Sequence, residues 1–161
     1  YFSRSPTCAA NFTHSFPGIE TAMLVRLLFA SRAAEPVAAT IASICQHSQP
    51  RNAERGITGV LVCGDGVFMQ AIEGGRAAVN SLYGEILRDA RHRDVVLLRY
   101  EEITERRFAG WTMGVVDTRR INPAILLKYS ERAALDPYAL PGQASLALLE
   151  ELVATASIGR A

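Results

Sequence analysis

Two kinds of apolar spacing alternate along this chain. Short continuous runs, Leu24 to Ala30 (LVRLLFA), Ile57 to Cys63, Val67 to Ile72 and Val95 to Ile103, read as strands. Phe108 to Val116 reads as a fifth. Between the first two runs, Val37, Ile41, Ile44 and Cys45 recur at i, i+4, i+7 and i+8, the stripe of a half-buried helix. Glu35-Pro36 opens it, because proline suits a first helical turn, and Pro50 and Gly56 in SQPRNAERG close it. Gly64-Asp65-Gly66 between two apolar runs is a hairpin signal, and Gly74-Gly75 ends the second run. Val79, Leu82, Tyr83, Ile86 and Leu87 then mark a second amphipathic helix reaching about Ala90. From Asn122-Pro123 onward the pattern is helical, in two pieces split by Asp136-Pro137 and Pro141-Gly142. No repeat of solenoid period is present.

The order is strand, helix, strand, strand, helix, strand, strand, helical tail. It predicts an α+β ferredoxin-like sandwich: a five-stranded mixed sheet with two helices on one face and a C-terminal helical extension. The second sheet face needs a cover. Ile125, Leu126, Leu127, Leu146, Leu148, Leu149 and Leu152 give the tail more apolar surface than a solvated appendage needs, so it should pack on that face or on a second copy of the chain. The expected organisation is an N-terminal extension over residues 1–22, a core domain over 23–117 and the helical extension over 118–161.

Composition narrows the class. The chain has 161 residues, enough for one domain with a modest appendage, and its 49% hydrophobic and 20% charged residues are those of an ordinary globule. A formal net charge of +1 gives no bulk field for nucleic acid or an anionic membrane. No apolar run approaches the ~20 residues that span a bilayer. Cys8, Cys45 and Cys63 are odd in number and form no CxxC pair, which fits a reducing, cytoplasmic setting better than a disulfide or zinc scaffold. In that setting the Asn11-Phe12-Thr13 sequon carries no meaning. The first 22 residues mix Ser, Thr, Pro and scattered aromatics without the apolar core of a signal peptide.

One residue is out of keeping with its run. In GVFMQAIEG, Gln70 falls between Phe68 and Ile72 on one side of a strand, and an amide buried without partners costs roughly 1–3 kcal/mol. Taken singly, Gln70 reads as a core amide satisfied by backbone and Asn52 as a turn residue ending a helix. RDARHRD reads as a solvated charge cluster at a helix end. Trp111 and Met113, two apart, share one face if their strand is regular.

Taken together, five segments give a resemblance to the BLUF domain, the flavin-binding blue-light sensor family, over about Leu24 to Val116. They are LVRLLFASR, SQPRNAERGITGVL, GVFMQAIEG, RDARH and RRFAGWTMGV, in order and on matching elements. The resemblance implies a flavin, FAD with FMN or riboflavin as alternatives, held between the two core helices above Gln70 and Asn52. Gln70 would hydrogen-bond the flavin ring edge and carry the light signal by reorienting, as an amide with both donors and an acceptor can. Asn52 would bind the polar ring edge, with Arg51 beside it, and Asp89, Arg91 and His92 would add polar contacts. Trp111 or Met113 would pack beside Gln70.

Two positions depart from the family. Phe29 stands where the resemblance places a tyrosine that gives flavin an electron and a proton and hydrogen-bonds the glutamine. Without that hydroxyl, the small reversible red shift typical of the family should be impaired. Glu85 stands where relatives carry a basic or imidazole side chain, and a carboxylate there would repel a flavin phosphate. The resemblance therefore points to a non-enzymatic sensor that signals through a protein partner, as an expected homo-oligomer. The alternative is a non-photochemical interaction module of the same fold that binds flavin weakly or not at all. A flavin redox enzyme is disfavoured: neither a Rossmann glycine fingerprint nor an acid/base pair is evident.

Overall fold

The computed structural model describes residues 23–156, so the expectations for residues 1–22 and for Cys8 lie outside the described residues. Five strands, β1 (Leu24–Ala33), β2 (Thr58–Gly64), β3 (Val67–Gly75), β4 (His92–Glu102) and β5 (Gly114–Asp117), form one sheet in the order β4-β1-β3-β2-β5. All neighbouring pairs are antiparallel except β2 and β5. This is the ferredoxin-like arrangement with a fifth strand that the pattern predicts. Asp65 and Gly66 both take positive φ, 51° and 76°, as the two-residue turn of the β2–β3 hairpin requires.

Both faces of β1, β2 and β3 are covered, which is why these strands read as continuous apolar runs rather than alternations, whereas the edge strand β4 leaves Val96, Leu97 and Tyr100 exposed. On one face, Val25, Leu27, Phe29, Leu61, Phe68 and Ile72 pack under helices α1 (Val37–Glu54) and α2 (Arg76–Ile86). On the other, Leu28, Val60, Val62, Met69 and Ala71 meet the tail. The tail's helices are α3 (Pro123–Leu127) and α4 (Gly142–Thr155). Leu126, Leu146, Leu148, Leu149 and Leu152 are buried there and Ile125 partly so. Leu127 is exposed, against expectation, because a five-residue helix turns only one face inward. Tyr129 Oη donates to Glu151 at 2.7 Å, tying α3 to α4, and Tyr138 Oη donates to the Asp94 carbonyl at 2.8 Å, tying the tail to β4.

Three boundaries differ from the sequence reading. Helix α1 runs through Pro50 to Glu54, because its last turn is fixed from outside: Asn52 Nδ2 donates to the Thr112 carbonyl at 2.8 Å. Helix α2 ends at Ile86, so Leu87 is exposed and His92 opens β4 instead of closing a helix.

The third difference matters most. Phe108 to Met113 is a loop and not a strand, because its backbone groups go to side chains elsewhere. Phe108 N donates to Glu73 Oε2 at 2.9 Å and Arg107 N to Glu73 Oε1 at 3.2 Å. Glu73 is completely buried, and it also accepts Arg26 Nε at 2.7 Å. At the far end the Trp111 carbonyl accepts Gly59 N at 2.9 Å. Trp111 and Met113 consequently do not share a face: Trp111 packs with the tail cluster, and Met113 with the cluster under α1 and α2.

Candidate functional site

A cleft of about 350 Å³ opens between α1 and α2 over the sheet. Its floor is made of buried groups, Asn52, Gln70, His92 and Met113, and its rim of more exposed ones, Arg51, Arg55, Glu85 and Arg88. Asp89 and Arg91 also line it. Seven of the residues expected at the flavin site, Arg51, Asn52, Gln70, Asp89, Arg91, His92 and Met113, therefore converge on one cavity. Trp111 does not reach it. Phe29 stands beside it, fully buried, with its ring 5.7 Å from Tyr83 and 6.1 Å from His92.

Gln70 is the least satisfied group of the floor. Strand β3 turns it toward α1 and α2, and it is 2% exposed. Among the described residues its Nε2 reaches only the thioether of Met113, at 3.6 Å, a weak acceptor, and its buried Oε1 has no partner. A buried amide in that state keeps unused hydrogen-bonding capacity on the cleft floor.

The groups around it are fixed. Asp89 accepts the Arg91 backbone N–H at 2.9 Å and a two-nitrogen grip from its guanidinium, while Arg91 Nη1 donates to Ser43 Oγ at 3.0 Å. The Arg91 guanidinium holds the Asp89 carboxyl below the usual carboxylate range. His92 Nδ1 pairs with the buried Ser31 Oγ at 2.8 Å, and burial pushes its imidazole down to about 4, so the ring is neutral near pH 7.

Glu85 does not face the cleft as a free charge. Arg55 Nη2 lies 2.9 Å from one of its oxygens and Arg51 Nη2 3.4 Å from the other, and the Arg55 hydrogen bond holds the carboxyl below its ordinary range. Sequence reasoning missed Ile44, His47, Ser48, Arg55, Leu82, Ile86 and Arg88 as lining residues. The signal was present on α1, where 44, 48, 52 and 47, 51, 55 are two rows of i, i+4 spacing. Ending that helix at Pro50 hid it.

Among known proteins, the BLUF family model, described as sensors of blue light using FAD, matches residues 24–114. The photoactivated adenylate cyclase subunit beta of Euglena longa is 37% identical over 92 residues, and subunit alpha of Euglena gracilis 42% over 88. Those matches cover 56% and 54% of this chain but only 11% and 9% of the cyclase subunits, so the chain spans about a tenth of their length. The solved structure of BlsA in its photo-activated state superposes with a TM-score of 0.78 at 30% identity, covering 86% of this chain and all of BlsA. BlrB, a BLUF protein in its dark state, gives 0.70 at 32%, covering 83% of this chain and 96% of BlrB.

Proposed function

The chain belongs to the BLUF family of flavin-dependent blue-light sensors, and from that premise we propose that its α1/α2 cleft holds FAD, with the ring system over Gln70 and the usual light response impaired by Phe29. The observation that carries this reading is the buried, partnerless Oε1 of Gln70 on the floor of a polar-lined cleft. FMN and riboflavin present the same ring to the same floor. When bound, the flavin supplies blue absorption and an electron-accepting excited state.

The chain's own residues do the rest. Asn52, Asp89, Arg91 and His92 offer donors and acceptors to the polar ring edge, with Arg51 at the rim. Gln70 offers both donors and an acceptor from one rotatable group, so that exchanging them inverts the hydrogen-bond pattern it shows the ring. Met113 accepts weakly enough to let the amide turn. Phe29 fills the volume of a tyrosine but can neither donate a proton nor bond Gln70.

The output is a contact change and not a chemical step. The loop of residues 104–113 touches Gln70 through Met113 and the tail through Trp111, and Arg107 forms an ion pair with Glu150 on α4. The tail is therefore the place for a protein partner. The free, buried thiols Cys45 and Cys63 fit a reducing, cytoplasmic setting, and no described helix is long and apolar enough to cross a membrane.

An absorption spectrum of the protein supplied with FAD tests the reading. A structured blue band is expected, and Asn52→Ala should weaken binding by about 0.5–1.5 kcal/mol. A protein that stays colourless with every flavin, or an affinity untouched by Asn52→Ala, would overturn the assigned site. The second reading, an interaction module without photochemistry, draws on Phe29 and predicts the colourless outcome.

A further inference from the structure

Resting on the flavin reading above, we propose that the rim of the same cleft is a phosphate subsite, in which Arg55 and Arg88, with Arg51, select phosphorylated flavins over riboflavin. Four arginines and two carboxylates line the cleft, a local surplus of two positive charges in a chain whose formal net charge is +1. That surplus lies at the rim. Arg91 is matched by Asp89, and His92 is neutral near pH 7, which leaves Arg51, Arg55 and Arg88 against Glu85 alone.

Glu85 does not saturate them. Arg55 spends Nη2 on it at 2.9 Å, while its Nη1 is buried and has no acceptor among the described residues. Arg88 forms no ion pair among the described residues. A guanidinium carries five donors, and a phosphate brings three or more acceptor oxygens in a geometry that fits two of them at once. A competing explanation is that these arginines offset the negative C-terminal ends of α1 and α2. That explanation needs no cavity lined by them, and it leaves the buried Arg55 Nη1 without a purpose.

The carboxylate expected to repel phosphate thus acquires a different role. Pinned by Arg51 and Arg55, Glu85 holds their guanidinium groups over the opening when no phosphate is present. Its own charge lowers the attraction for an anion but does not cancel it.

Fluorescence titrations with riboflavin, FMN and FAD test the subsite, because the three share a ring and differ in phosphate. FMN and FAD should bind at least about tenfold tighter than riboflavin, the scale of one charge-assisted hydrogen bond. Arg55→Gln and Arg88→Gln should each shrink that gap and leave riboflavin affinity unchanged, which also shows that the variants fold. Glu85→Gln should widen the gap, and added salt should narrow it. Equal affinity for all three flavins, or a gap indifferent to both arginine variants, overturns the subsite while leaving the ring site standing. Failure of riboflavin and both phosphorylated flavins to bind overturns the ring site and the subsite together.

Discussion

Phe29 and Gln70 are partners across the antiparallel β1–β3 ladder, both buried and both turned toward the layer of α1 and α2. Directly paired strand residues hold their side chains within contact of one another. A hydroxyl on the Phe29 ring would therefore lie near Gln70 Oε1, which has no partner among the described residues. The native protein with flavin should give slow bleaching or nothing in a light-minus-dark spectrum. Phe29→Tyr should give a small reversible red shift, and adding Gln70→Ala should remove it. A normal reversible red shift from the Phe29 protein would refute the role assigned to this pair.

Glu73 lies three residues from Gln70 on the opposite face of β3, and it anchors the loop that carries Met113. It is wholly buried and accepts two backbone N–H groups of that loop besides Arg26. Removing one member of a buried ion pair costs about 3–5 kcal/mol. Glu73→Leu should suffer that loss in full, because the Phe108 N–H would lose its acceptor. Glu73→Gln should be milder, since an amide oxygen can still accept. Urea denaturation separates them; equal stability of the two variants would mean that backbone capping is not what the carboxylate provides.

The fold was legible because it rests on periodicity. Strand runs, helical stripes and the Asp65-Gly66 turn each state their own geometry. The loop of residues 104–113 was not legible, since nothing local in RRFAGWTM says that its N–H groups will find Glu73, some 35 positions earlier. That one distant carboxylate turns an apparent strand into a loop and sends Trp111 and Met113 to opposite faces. Pro50 failed for the same reason, with Asn52 holding a helical turn that local preference would end. All six polar residues expected around flavin line the cleft, because the family pattern carried them. Among the rim arginines, Arg55 required the correct length of α1, and Arg88, just past the end of α2, was marked by no local pattern.

His92 gives the protein a specific acid sensitivity. Its folded pKa of about 4 lies below the ordinary value of 6.5, so the unfolded chain binds the proton more tightly. Stability from this group is present above pH 6.5, declines as pH falls toward 4, and stays lost below that. A gap of that size is worth about 3 kcal/mol. Asp89 and Glu85, held down by arginines, contribute instead above the ordinary carboxylate range and lose their share only as pH falls below about 4. Denaturation midpoints at pH 7.5, 6 and 4.5 should fall steadily, and His92→Gln should flatten that slope. A slope unchanged in the variant would assign the sensitivity to other groups.

The last expectation concerns the tail. Leu28, Val60, Val62, Met69 and Ala71 are buried beneath it, so truncation after Asp117 would uncover a contiguous apolar sheet face. Soluble monomers rarely expose such a patch, and the truncated protein should aggregate or associate. A point variant asks the same question without deleting anything. Gly142, at the start of α4, lies so close to β4 that an added Cβ would come 2.0 Å from the Leu98 carbonyl oxygen. That atom is backbone and cannot swing aside, so Gly142→Val must push α4 away. The expected result is a loss of about 1–3 kcal/mol on denaturation together with stronger binding of an apolar dye. A truncated protein that stays monomeric and equally stable, or a Gly142→Val protein indistinguishable from the native one, would show that the tail does not seal this face.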